Sequence, residues 1–267
     1  MTLSIADAGQ ALLWMTTISL LIQAIEALRL QAGSALLAPW PWSIQRDDLR
    51  DSSKLVRAVF DRLYRPGIHR AHLIVHMLAA LSLPWAGATT PVAAGLLVSQ
   101  VLISIRWRGA FNGGSDFMTL SVLGGIAIAA LTAPWLGESL AWQAGLWLIS
   151  IQALSSYFLS GTVKLRYAGW RHGRALPALL DGGLYGPLPP TSLLRQPVVA
   201  MVCSWAFIIW EAAFPLSMID PRLTTLWCAI GIAFHLLVWW FFGLNRFFWA
   251  WMATFPALIG CATLIQG

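Results

Sequence analysis

Few side chains in this sequence could do chemistry, and they stand out because their neighbours are so apolar. Lys164 closes one long apolar run, Glu211 sits inside a second, and His235 lies near the middle of a third. An ionisable group at such depth in a lipid-like setting costs roughly 3 kcal/mol or more unless it is paired or faces water. A Lys and a Glu on separate apolar segments can offset part of that cost by pairing, which would tie the two segments together. The same Lys, enclosed in a low-dielectric pocket, can instead be a neutral amine and serve as a base. At the very end of its run it could also reach out to the interface. All three readings are open at this point. His235, alone on an apolar run, reads either as a satisfied core histidine or as a functional group.

His69, His72 and His76 share one helical face at spacings of three and four, which is compatible with metal ligands. No carboxylate or Cys accompanies them, so they are expected to be interfacial histidines and no metal is assigned. Ser156 and Ser160 precede Lys164 on the same run, and helix–helix hydrogen bonding accounts for both. The sequence has no Gly-x-Ser-x-Gly elbow, Walker loop, dinucleotide fingerprint or His-Glu-x-x-His motif. Any catalysis is therefore expected to be intramembrane.

The elements that must position these groups follow from composition. Of the 267 residues, 58% are hydrophobic and 10% charged, against about 45–50% and 25% in soluble domains; mean hydropathy is +0.69. This excludes a soluble globule, a coiled coil, a disordered chain and a disulfide scaffold. Cys203, Cys228 and Cys261 all fall inside apolar runs, where they read as small buried residues. Eight such runs, near 11–28, 71–87, 91–105, 117–135, 141–165, 198–216, 223–242 and 247–265, predict an all-α polytopic integral membrane helix bundle. Eight spans leave no room for a large extramembrane domain, so residues 1–267 read as one domain.

Net charge is +6. With eight spans, every Lys and Arg of the 17 except Lys164 and Arg222 falls in an odd-numbered loop or beside it. That bias is the positive-inside pattern, not a phosphate-reading surface, so no nucleic-acid partner is expected. It places both termini outside. Residues 31–70 form a long cytoplasmic loop in which Leu55, Val56, Val59, Phe60, Leu63 and Tyr64 recur at helical spacing. The stripe predicts a helix lying on anionic headgroups, or one packed across the ends of the spans. Residues 166–197, rich in Gly and Pro, are expected to form a lid beside Lys164. Trp40, Trp42, Trp85, Trp107, Trp135, Trp142 and Trp170 stand near span ends, as in an aromatic belt.

The segment YFLSGTVKLRYAGW, residues 157–170, resembles the HTTM domain, the membrane portion shared with vitamin K-dependent gamma-carboxylases. The likeness extends to FNGGSDFMTL (111–120), WEAAFPL (210–216) and FHLLVWWFFGLNRFFWAWMATFP (234–256), so that it spans about 111–260. In the carboxylases a lysine in a Gly-x-x-Lys-Leu segment deprotonates reduced vitamin K, and Gly161 to Leu165 matches that segment. The resemblance thus implies Lys164 as base, with His235 and Glu211 positioning or relaying the proton. It implies Asn112, Asp116, Tyr157 and Trp170 as candidate substrate-binding residues and a reduced quinone as cofactor. The expected setting is a bacterial inner membrane, with the lipid bilayer and a peptide or protein substrate as partners.

Two departures temper these expectations. The carboxylases carry a large luminal substrate-binding domain after the membrane part, whereas this sequence stops at Gly267, and the 133–141 loop has no histidine. The turn from Gly243 to Phe248 is also similar to lipase maturation factors, which assist another protein. A quinol-dependent modification enzyme and a non-catalytic maturation or assembly factor therefore both stand as readings. A proton-linked transporter using Glu211 and Lys164 is a third, less favoured because the sequence shows no inverted repeat.

Overall fold

The computed structural model describes residues 2–33, 41–108 and 113–266, and among them the chain is all-α, with no strand. The main elements are α1 (Ile5–Gly33), α2 (Lys54–Leu63), α3 (Pro66–Ala86), α4 (Thr90–Arg106), α5 (Gly113–Leu136) and α6 (Glu138–Arg166). They are followed by α7 (Ala175–Asp181), α8 (Pro197–Ala212), α9 (Pro221–Phe242), α10 (Asn245–Met252) and α11 (Phe255–Gln266). Five of these helices start with Pro at or next to their first position, where the missing N–H would have had no intrahelical partner. Asp220 caps α9 by accepting from the Arg222 N–H at 2.7 Å.

Six of the eight expected runs each lie on one helix to within a residue, whereas 198–216 runs past the end of α8 and 247–265 is divided between α10 and α11. Among the described residues, five segments are long and apolar enough to cross a membrane: α1, α5, α6, α9 and the α10–α11 pair taken together, Asn245–Gln266. The remaining three fall short for visible reasons. α3 carries Arg70 and three histidines, while α4 and α8 have 17 and 16 residues. α8 ends at Ala212 because Pro215 follows, and the chain goes on as a tighter 3₁₀ stretch, Phe214–Ile219.

The core lies where α1, α5, α6 and α11 meet, around Leu12, Leu20, Leu123, Ile126, Leu146, Ile149 and Leu258, all fully buried. α5 and α6 touch backbone to backbone at Gly125 and Gly145. A Cβ on Gly125 would stand 2.7 Å from the Gly145 carbonyl oxygen, so small residues set this spacing.

The two ends of the bundle collect different segments. At one end Arg106 donates to Gln45 at 2.9 Å, Arg108 pairs with Asp48 at 2.7 Å, and Asn245 donates to Glu26 at 2.7 Å. At the other, Gln10 donates to the Pro84 carbonyl at 2.8 Å, and Ile5, Gly87 and Glu138 line one cavity. The Leu3 N–H donates to Thr263 Oγ1 at 3.3 Å, which sets the first and last helices side by side at that end.

The surface helix α2 forms as its spacing predicts. None of its residues is buried, and Leu55 and Val59 are 74% and 54% exposed. Tyr64, just beyond it, is buried instead and donates to the Leu102 carbonyl at 2.8 Å. Trp107 departs from the expected aromatic belt. It is buried, donates its Nε1–H to His69 Nε2 at 3.1 Å, and lies under the Arg106 guanidinium at 4.2 Å. A cation and an imidazole acceptor nearby hold it inside.

Candidate functional site

α6 presents Tyr157, Ser160 and Lys164 on one face, at the i, i+3 and i+7 positions that helical geometry superposes. α8 brings Glu211 against that face and α9 brings His235. The approach of α6 to α8 depends on Gly161. A Cβ there would stand 2.8 Å from the Cα and 2.9 Å from the Cβ of Ala212, the residue after Glu211. The glycine one turn before Lys164 is therefore what lets lysine and glutamate meet.

They meet closely. Lys164 Nζ lies 2.6 Å from Glu211 Oε2 and 2.9 Å from Oε1, and it donates to Ser160 Oγ at 2.6 Å. Ser160 in turn donates to Glu211 Oε1 at 3.2 Å. The side chains are 17% and 4% exposed, so the pair is largely withdrawn from solvent. The Trp170 ring faces the amine at 5.3 Å. Lys164 does not stretch out to the aqueous phase.

Deeper in the bundle the Tyr157 hydroxyl and His235 Nε2 are 2.6 Å apart, and both side chains are buried. Tyr157 stacks on Phe214 at 4.2 Å and His235 on Trp251 at 5.0 Å, so aromatic packing fixes both rings. His235 Nδ1 is buried with no hydrogen-bond partner among the described residues. Whichever tautomer His235 adopts, one polar function of this couple stays unmatched, at about 1–3 kcal/mol.

Two cavities converge on these groups. One of about 510 Å³ is lined by Tyr157, Ser160, Lys164, Glu211, His235 and Trp251, among others. The other, about 430 Å³ and walled by apolar side chains such as Leu176, Leu180, Phe207 and Phe241, also reaches Lys164. Lys164, Phe234 and Phe242 border both. An ion pair at the join of a polar-headed and an apolar hollow suits a guest with a hydrogen-bonding head and a greasy body.

The segment after α6 forms the expected cover. α7 sets Leu176, Leu179 and Leu180 on the apolar cavity, and Leu194 comes from the returning arm. The arms are pinned by Arg195, which grips Asp181 at 2.7 and 2.8 Å, while the Leu188 N–H donates to Asp181 at 2.9 Å. That backbone donor and the guanidinium hold the Asp181 carboxyl below its ordinary range. A lowered folded-state value means the pin is fully present above the unfolded carboxyl's titration near pH ~4 and fails as pH falls through the folded one. Asp181→Ala is expected to speed thiol labelling of Cys203, which lines the covered cavity, by up to about fivefold at neutral pH. Because the thiolate is the species that reacts, absolute rates fall with pH in both chains, and it is the ratio of the Asp181→Ala rate to the unmodified one that should not change between pH 8 and 6.

Of the sequence-predicted site residues, the structure gathers Lys164, Glu211, His235 and Tyr157 around one cavity and Trp170 around the adjoining one. Asp116 goes elsewhere, pairing with Arg246 at 2.9 Å. Asn112 lies outside the described residues. Sequence reasoning left out the cluster that Asp116 joins. Arg246 also donates to Gln23 Oε1 at 2.8 Å, Gln100 donates to the same oxygen at 3.1 Å, and Gln23 donates to Thr119 at 3.0 Å. The two glutamines inside apolar runs were the available signal. Asp116→Ala is expected to lower unfolding stability by about 2 kcal/mol without altering the Lys164 cavities, as read by detergent-titrated unfolding.

No family model, curated protein or solved structure matches the chain.

Proposed function

We propose that this chain is an HTTM-like integral membrane protein of eight spans that takes a reduced quinone of the vitamin K type at the Lys164 cavities and removes its proton. In this reading it acts in the modification of a peptide or protein substrate. The observation that carries the reading is the Lys164–Glu211–Ser160 cluster placed where a polar-headed and an apolar cavity join. Lys164, Glu211 and the Tyr157–His235 couple would face the head, and the leucines of α7 with Phe207 and Phe241 would face the body.

A reduced quinone would supply an acidic O–H. The pair works as a unit: Lys164 Nζ passes its proton to Glu211, and the neutral amine then accepts the proton of the guest. The cluster would end as an ammonium beside a neutral carboxyl, with charge conserved and the ammonium available to balance a negative head group. Ser160 keeps both groups in hydrogen-bond reach throughout.

The eight-span reading draws support from the meeting of the first and last helices at one end, which requires an even number of crossings. Contacts of Gln45 and Asp48 with Arg106 and Arg108, and of Glu26 with Asn245, bring the odd loops together at the other end. The positive-inside bias would then put both termini outside a bacterial inner membrane. One feature favours the maturation-factor reading: α2 offers exposed Leu55 and Val59 beside Lys54 and Arg57, a face fit for lipid or a partner.

The test uses Lys164→Met with Glu211→Leu, which replaces the pair by apolar side chains of similar volume. Titration of the reconstituted protein with a long-chain quinol, read by Trp fluorescence, is expected to show binding at least tenfold weaker with the fold retained. Quinol binding equal to that of the unmodified chain would refute the proposal.

A further inference from the structure

On the opposite flank of the bundle, α3 and α4 hold a second group of reactive side chains that the proposed function does not use. Ser99 of α4 sits between two imidazoles of α3: its Oγ is 2.7 Å from His72 Nε2 and 2.8 Å from His76 Nδ1. A cavity of about 450 Å³ lies against this trio, walled otherwise by side chains such as Val75, Ala79, Val92, Leu96 and Leu102. Val75 and Val98 at its border are 64% and 59% exposed, so the hollow opens sideways on the apolar flank.

A serine has one proton to give. If it donates to one ring, the other ring must donate its N–H to Oγ. One imidazole is thereby set to accept the serine proton, and the other places an N–H beside the same oxygen. Those are the two jobs an attacking hydroxyl needs done: a base in hydrogen-bond reach, and a donor close to where a carbonyl oxygen would turn negative. The remaining ring nitrogens, His72 Nδ1 and His76 Nε2, are buried without partners among the described residues, so no other described group competes for either ring.

We propose that Ser99 is an acyl-accepting nucleophile, with His72 and His76 as base and donor, acting on the ester or thioester of a long-chain acyl lipid that enters from the bilayer. Ser99 Oγ bonds to the acyl carbon as the carbon–oxygen or carbon–sulfur bond to the leaving group breaks. The serine proton passes to one imidazole and from there to the leaving alcohol or thiol. Water then releases the acyl group as a fatty acid and restores the hydroxyl.

The experiment exposes the full chain in lipid nanodiscs to a long-chain alkyl fluorophosphonate, which forms a Ser O–P bond with loss of fluoride, and maps the adduct by mass spectrometry. The expected result is one adduct on Ser99, absent in Ser99→Ala, with labelling slowed roughly 10²-fold in His72→Gln or His76→Asn and unchanged in Lys164→Met with Glu211→Leu. Should the folded, unmodified chain carry no adduct on Ser99, the proposal falls and the trio is a hydrogen-bonded stitch between helices. Labelling that persists equally in both histidine variants would also overturn it.

Discussion

Glu211→Ala is expected to be the most damaging single substitution in the bundle, lowering unfolding free energy by about 3–5 kcal/mol. The loss arises less from the attraction removed than from what remains. Lys164, 17% exposed and bordering the apolar cavity, would keep only Ser160 and the Trp170 ring as partners, and its charge would stand uncompensated. The double substitution Lys164→Met with Glu211→Leu removes the stranded charge and is expected to recover most of the stability. Unfolding in mixed micelles of increasing denaturing-detergent fraction, run on the unmodified chain, Lys164→Met, Glu211→Leu and the double variant, measures the coupling. Simple additivity of the two single losses would mean that the groups do not act as a pair.

Gly161→Leu is expected to leave every ionisable group in place and still abolish proton handling. The new side chain would enter the space that Ala212 fills, and overpacking of this kind costs about 1–3 kcal/mol. α6 and α8 must then part, and Lys164 loses its reach to Glu211. The matching observation is faster modification of Lys164 by an amine-reactive reagent, with quinol binding reduced to that of the Lys164→Met, Glu211→Leu protein. Gly161→Ala is expected to give a smaller effect of the same kind. Normal binding in Gly161→Leu would show that the close approach is not what assembles the cluster.

The sequence made some of this legible because lipid-like surroundings punish unpaired charge. Lys164 and Glu211 had to find partners, and few were available, so their pairing could be anticipated. Helix positions were readable for a similar reason: long apolar runs have few alternatives to being helices. What escaped depended on the third dimension. Ser160 gave no cue that it would bridge the pair, since a serine on an apolar helix is ordinarily satisfied by its own backbone. From the sequence Arg246 is a loop cation, yet α10 begins at Asn245 and turns it inward, where it is 6% exposed against Asp116. Asp116 was thereby drawn away from the site to which its motif had assigned it. Trp107 stands where a belt residue would because it ends a span, and spacing carries no sign of the imidazole that accepts its N–H.

The contact between the two extremes of the chain bears on how the protein is made. α1 leaves the ribosome long before α10, so Glu26 and Gln23 receive Asn245 and Arg246 only after the 219 and 223 residues of separation have been translated. Until then these polar groups must wait in the insertion machinery or bond to transient companions. A product cut short before α10 would keep nearly all its greasy helices and yet be recognisable to quality control as unfinished.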